Sequence, residues 1–141
     1  MNMISGTDKD TVGLFIGGWF SNKTNNVLAP PYSAIAWLED NQIALAAVFN
    51  DYTNYNIQAH LYGPKKLTKV CLKNIYNYVF KELKCKRLTA QPKRNNKKLL
   101  QLLPRIGFKY EATLKNYYGP FRSDDAIVLV LTEETAVKWL H

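Results

Sequence analysis

One segment constrains the fold of this chain more than any other: an amphipathic, lysine-rich stretch over residues 67–83 that runs almost directly into a short apolar strand. Leu67, Val70, Cys71, Ile75, Tyr78, Val79 and Leu83 recur at intervals of three and four, while Lys69, Lys73, Asn77 and Lys81 fall between them. That is the period of a helix with one buried face. Arg87-Leu88-Thr89-Ala90-Gln91 follows immediately and reads as a strand. A helix placed between two strands is a crossover connection, so Arg87–Gln91 is expected to run parallel to the strand before the helix.

That earlier strand is Asn56–Tyr62, where Ile57, Ala59 and Leu61 alternate with Gln58, His60 and Tyr62. Two further strands, Ser33–Leu38 and Ile43–Asn50, flank the turn-rich Glu39-Asp40-Asn41-Gln42 and predict a hairpin. Upstream, Thr7 or Asp8 is placed to cap a helix over Thr11–Phe20, which Gly13, Gly17 and Gly18 weaken. Downstream, Pro92 stops the strand, and Asn95 or Asn96 caps a short helix whose Leu99, Leu100, Leu102 and Leu103 form the buried side. Pro104 bends or ends that helix. Phe108–Tyr117 and Ala126–Thr132 form a terminal strand pair around Gly119-Pro120, with a last helical turn over Glu133–Leu140. The predicted order α-β-β-β-α-β-α-β-β-α describes an α/β fold: a mixed sheet with helices on its faces.

A chain of 141 residues with 47% apolar content supports one core, so residues 1–141 are expected to form a single domain. No uninterrupted apolar run approaches the ~18 residues of a membrane span, and the first residues lack the charged and apolar regions of a signal peptide. The expectation is a soluble, cytoplasmic protein with no membrane partner. Cys71 and Cys85 have no second pair at metal-ligand spacing, so they read as buried or incidental thiols and no metal is implied. Charge is sharply localised. Fourteen of the nineteen Lys and Arg residues fall between Lys65 and Lys109, with Glu82 the one acid among them, so this block carries +13 and the remainder −5. Such polarity calls for a polyanionic partner, either nucleic acid or the phosphates of a nucleotide cofactor, unless it is only a solvated surface.

Lys65–Phe108 resembles the core of the GNAT family of acyl-CoA-dependent N-acetyltransferases, particularly its phage and prophage members. The resemblance extends over about residues 33–135. It is carried by Leu67-Thr68-Lys69 at the helix start, Val79-Phe80 and Leu83-Lys84-Cys85 at its end, the Leu88-Thr89-Ala90 strand, Asn96, and Gly107-Phe108 followed by Glu111. It implies a mostly antiparallel twisted sheet, a splayed parallel strand pair and helices on both faces. It further implies acetyl-CoA as co-substrate, with the pyrophosphate on exposed amides at the helix start, here Lys66, Leu67, Thr68, Lys69 and Val70, aided by Lys65. The pantetheine arm would lie between the splayed strands, against Leu61 and Tyr62 on one side and Asn96 on the other. A backbone N–H near Leu61 or Tyr62 would polarise the thioester carbonyl. Asn96 is equally explained as a helix cap. The sequence departs from the family at the phosphate loop, where Gly63-Pro64-Lys65-Lys66 retains one glycine, and at Leu103, where many relatives carry a tyrosine acid.

Acyl transfer to an amine needs a group that removes the amine's proton and one that protonates the departing thiolate. His60, the one internal histidine, is the candidate base, with the carboxylates of Glu39, Asp40 and Glu111 as other possible bases. Tyr117, or Tyr118 beside it, is the candidate acid. Two functions follow. The first is a phage-type N-acetyltransferase acting on an amine acceptor. The second is an inactive protein of the same fold that binds nucleic acid or a phage or host protein through the block Lys65–Lys109, as a virion-associated or anti-defence module.

Overall fold

A computed structural model describes residues 1–140. Its strands are β1 (Asn2–Thr7), β2 (Ser33–Glu39), β3 (Gln42–Asn50), β4 (Asn56–Tyr62), β5 (Arg87–Ala90), β6 (Lys109–Leu114) and β7 (Ala126–Thr132). Its helices are α1 (Thr11–Thr24), α2 (Lys69–Tyr76), α3 (Lys97–Arg105) and α4 (Glu133–Val137). The strands make one sheet in the order β1-β2-β3-β4-β5-β7-β6, antiparallel throughout except at the β4–β5 junction. The mixed α/β architecture that the resemblance implies is present, with helices on both faces.

The alternation in β4 sorts its side chains between two cores. Ile57, with Ala59 and Leu61, joins Phe49, Leu88 and the buried side of α2 on one face. On the other face α1 contributes Ile16 and Phe20, which pack on Ala34, Ala36, Ala46 and Val48. Because Val48 pairs with His60 and Ala46 with Tyr62, these two side chains of β4 share the α1 face.

Three differences from the sequence reading have physical causes. β1 is absent from the predicted order; its one large half-buried side chain is Ile4, and it is held by ladder pairing of Asn2–Thr7 with β2 rather than by an apolar pattern. α1 is capped by Asp10, not by Thr7 or Asp8: one carboxylate oxygen accepts from the Gly13 amide at 2.7 Å and the other from the Thr7 amide at 2.9 Å. Gly13, which weakens the helix by propensity, lies where a Cβ would strike the Thr7 carbonyl, so it lets α1 approach β1.

The third difference concerns α2. Its buried residues are Cys71, Leu72, Ile75 and Tyr76, continued by Val79 and Phe80 in a π-helical turn over Asn77–Glu82. The buried face is therefore broader than the expected stripe and shifted by one position. Tyr78 and Leu83 sit at its margin, and Val70 is exposed. Leu83 donates its amide to the Tyr78 carbonyl at 2.9 Å, and Lys84 in the left-handed region then turns the chain toward β5.

Candidate functional site

The parallel junction sets the geometry of the site. β4 and β5 pair only at Asn56–Arg87, Ile57–Leu88 and Gln58–Thr89. The Asn56 carboxamide oxygen fastens this base, accepting from the Arg87 Nε at 3.2 Å and from the Thr89 hydroxyl. Beyond it the strands diverge. β4 stays on β3 through Tyr62–Ala46, and β5 stays on β7 through Ala90–Leu129. Pro92 cannot donate to β4, and its carbonyl accepts from the Ile127 amide at 2.9 Å while Lys93 bridges Ala126. The chain leaving β5 is thus drawn toward β7, and the gap opens between Ala59–Tyr62 and Ala90–Gln91.

A cavity of about 710 Å³ occupies this gap and reaches both faces of the sheet. On the α2 face its walls include Leu67, Leu72, Tyr76, Asn96 and Leu103; on the α1 face they include Phe20, Val27, Leu28, Asn50 and His60. A site that passes through a sheet lets two molecules enter from opposite sides and meet at its middle.

At the α2 end, Thr68 caps the helix, its hydroxyl accepting from the Cys71 amide at 3.2 Å. The Leu72 amide reaches the Thr68 carbonyl, and the Lys65 amide reaches the Ala44 carbonyl at 3.1 Å. Among the described residues, the amides of Lys66, Leu67, Thr68, Lys69 and Val70 have no acceptor. These five donors are at the positive end of the helix, on a segment exposed apart from half-buried Leu67. Lys66 and Lys69 have no carboxylate partner among the described residues, whereas the Lys65 ammonium lies 3.6 Å from Glu39. Gly63 serves packing rather than phosphate approach: a Cβ there would strike the Ala44 carbonyl and Leu45 on β3.

On the α1 face, His60 Nε2 lies 3.0 Å from the Asn50 carboxamide oxygen; with that oxygen accepting, Nε2 carries the proton and Nδ1 the lone pair. Phe20 meets the imidazole edge-on at 6.4 Å. Burial pushes the imidazole below its ordinary value, and the Asp51 carboxylate partly opposes that shift. His60 is therefore neutral near pH 7. Across the gap, Gln91 lines the cavity with its buried carboxamide oxygen unpartnered.

The loop after β6 supplies an aromatic wall. Asp125 is buried, accepts from the Asn116 amide at 2.8 Å and the Arg94 guanidinium at 3.2 Å, and its carboxyl is held below the usual range by that amide first and by Arg94 second. This anchor seats Tyr118 in the cavity wall, where its hydroxyl donates to the Gln91 carbonyl at 2.5 Å. Burial raises the Tyr118 phenol.

Of the sequence candidates, His60, Leu61, Tyr62, Leu67 and Asn96 line the cavity, and Lys66, Thr68, Lys69 and Val70 lie at the helix start beside Leu67. Asn96 also caps α3, accepting from the Leu99 amide at 3.3 Å. Lys65, Lys66, Thr68, Lys69 and Val70 lie outside the lining, as do two catalytic candidates. Glu39 ends β2 at the hairpin turn, paired with Lys65. Tyr117 is 58% exposed and stacks edge-on against Tyr118, which takes the inward place because Tyr118, not Tyr117, has its amide on the Asp124 carbonyl. Asn50 and Gln91 were not singled out by sequence. Tyr76 is fully buried, donates to the Ile106 carbonyl at 2.7 Å and is pushed far above the ordinary phenol range by burial.

No protein-family model matches the chain, and no curated protein matches it in sequence. Solved structures match over nearly its whole length. The spermidine N-acetyltransferase SpeG of Vibrio cholerae superposes with a TM-score of 0.75 at 11% identity, covering 97% of this chain and 98% of its own. YncA of Salmonella typhimurium, a putative acetyltransferase solved with acetyl-CoA, gives 0.69 at 14% identity over 94% and 95%. The N-acetyltransferase PseH of Campylobacter jejuni, in complex with acetyl-CoA, gives 0.63 at 16% identity over 94% and 99%. The fold of this chain is that of the GNAT acetyltransferases.

Proposed function

We propose that the protein transfers an acetyl group from acetyl-CoA to a primary amine. The observation that carries this reading is the coincidence of two features: a row of five unpaired amides at the start of α2 and, beside it, a gap through the sheet where β4 and β5 separate. The amides fit a pyrophosphate, with Lys66 and Lys69 adding charge. The gap fits an extended amide-bearing arm, for which the main chain of Ala59–Tyr62 and the Asn96 carboxamide supply partners.

Bound acetyl-CoA would supply an activated thioester. The amine would approach from the α1 face with His60 Nδ1 as the acceptor of its proton. Its nitrogen attacks the acetyl carbon, a C–N bond forms, the C–S bond breaks, and the thiolate leaves with a proton. Tyr118, protonated at neutral pH and set at the cleft edge, is the acid in this scheme in place of Tyr117. Spermidine, which names the Vibrio cholerae neighbour, is a polycation; no carboxylate lines this cleft.

A second reading keeps one observation in its favour. The single glycine of the phosphate loop is used in packing on β3, and Lys65 is diverted to Glu39, so the +13 block would serve salt-dependent contact with nucleic acid instead. Thermal unfolding with and without CoA decides between them. A bound ligand at about 100 times its dissociation constant adds roughly 2.7 kcal/mol. An unchanged transition at millimolar CoA, together with salt-sensitive DNA binding, would transfer the case to the binding module.

A further inference from the structure

We infer that the acceptor is a compact monoamine carried on an apolar body, and that the α1 side of the cleft selects it against diamines and polyamines. This inference rests on the acetyltransferase reading above and adds the substrate class. Its first support is the composition of the wall: the cavity is lined by no Asp or Glu, and its one formally charged residue is Lys93. A second ammonium brought into that cleft would lose water without gaining a counter-charge, since the wall's one lysine already pairs with Asp124 at 3.7 Å and the protein carries a net charge of +8. The Asp51 carboxylate, whose field reaches His60, is exposed and lies outside the lining.

The depressed basicity of His60 reports the same environment, one that disfavours a cation on this face. An apolar body, by contrast, finds Phe20, Leu28 and Val27. Val27 is 96% exposed on the segment after α1, yet it lines the cavity, so it presents bare apolar surface at the entrance. The cavity must also accommodate the acyl-bearing arm, which leaves the α1 side room for a small molecule.

The test compares two amines of one length that differ by a single charge. Acetylation of hexylamine and of 1,6-diaminohexane by the full chain is followed by mass detection of the N-acetyl product with acetyl-CoA saturating, and CoA-induced thermal stabilisation is measured in parallel. The expected kcat/KM favours hexylamine by about tenfold or more, and Val27→Glu, a change at an exposed side chain, narrows that ratio by adding a carboxylate at the entrance. Equal or better use of the diamine by the unaltered protein overturns the inference, as does CoA stabilisation with no acetylation of hexylamine. Loss of CoA stabilisation itself would instead remove the acetyltransferase reading on which the inference stands.

Discussion

The two ends of the cleft are made of different material. At the start of α2 the proposed binding groups are main-chain amides on an exposed segment, and almost any side chain is compatible with them. On the α1 face they are side chains, His60, Asn50 and Phe20, set by strand parity and by a helix from the other end of the chain. A backbone site tolerates sequence drift because its chemistry is carried by geometry common to all residues; a side-chain site does not. On the proposed reading, the segment before α2 can carry a single glycine and still offer donors, whereas one substitution at His60 would remove the proposed base.

The sharpest way to break this contrast is His60→Gln, which keeps a polar side chain near Asn50 but carries no basic nitrogen. Turnover should fall about 100-fold, the usual contribution of a positioned base, with CoA stabilisation unchanged. The unaltered protein should lose activity on an acid limb below 6.5, because burial lowers the His60 value while Asp51 only partly restores it. Stability follows the same sign. A histidine buried neutral contributes stability that is present above the unfolded value near 6.5 and is lost as pH falls through the folded one, so His60→Gln should flatten the decline of thermal stability under acid. Equal turnover by the variant, or an acid limb that persists in it, would take the proton-accepting role away from His60.

Local pattern explains why much of the fold was legible. Ser33–Glu39, Gln42–Asn50, Asn56–Tyr62 and Ala126–Thr132 each carry an apolar run or alternation bounded by turns, and α2 and α3 carry capped helical stripes. β1 escaped notice because an edge strand can rest on ladder pairing with one half-buried Ile4. The site divides in the same way. The donors of residues 66–70 follow from the helix start alone, but Asn50 and Gln91 matter through where β3 and β5 end, and Tyr118 rather than Tyr117 through an anchor at Asp125. No spacing in the sequence encodes such long-range placements.

A smaller effect isolates the backbone donors. Lys69 is the first residue of α2, and Thr68 before it is extended at φ −92° and ψ 167°, a conformation that a following proline favours. Lys69→Pro therefore deletes one amide while preserving the helix. CoA affinity, measured by calorimetry, should drop about tenfold, the cost of one hydrogen bond to a charged group. Lys69→Ala removes the ammonium and keeps the amide, so it should cost less. If alanine costs as much as proline, side-chain charge and not the main chain holds the phosphates, and the contrast between the two ends of the cleft weakens.

The smallest expected effect concerns the two adjacent tyrosines, and it tests whether the aromatic wall belongs to the side-chain end. Tyr118 reaches the Gln91 carbonyl and lines the cavity; Tyr117 stacks on its edge at 4.9 Å from outside. Tyr118→Phe removes a proton donor from the cleft and leaves the ring under the Lys93 ammonium, 5.9 Å from the ring centroid. Turnover should fall by up to about tenfold, less than at His60 because a thiolate is a good leaving group that needs its proton late. Tyr117→Phe should leave turnover within error. Reversal of that order would mean that the loop held by Asp125 and Arg94 places the opposite ring inward during reaction, and the acid would have to be sought in a rearranged loop.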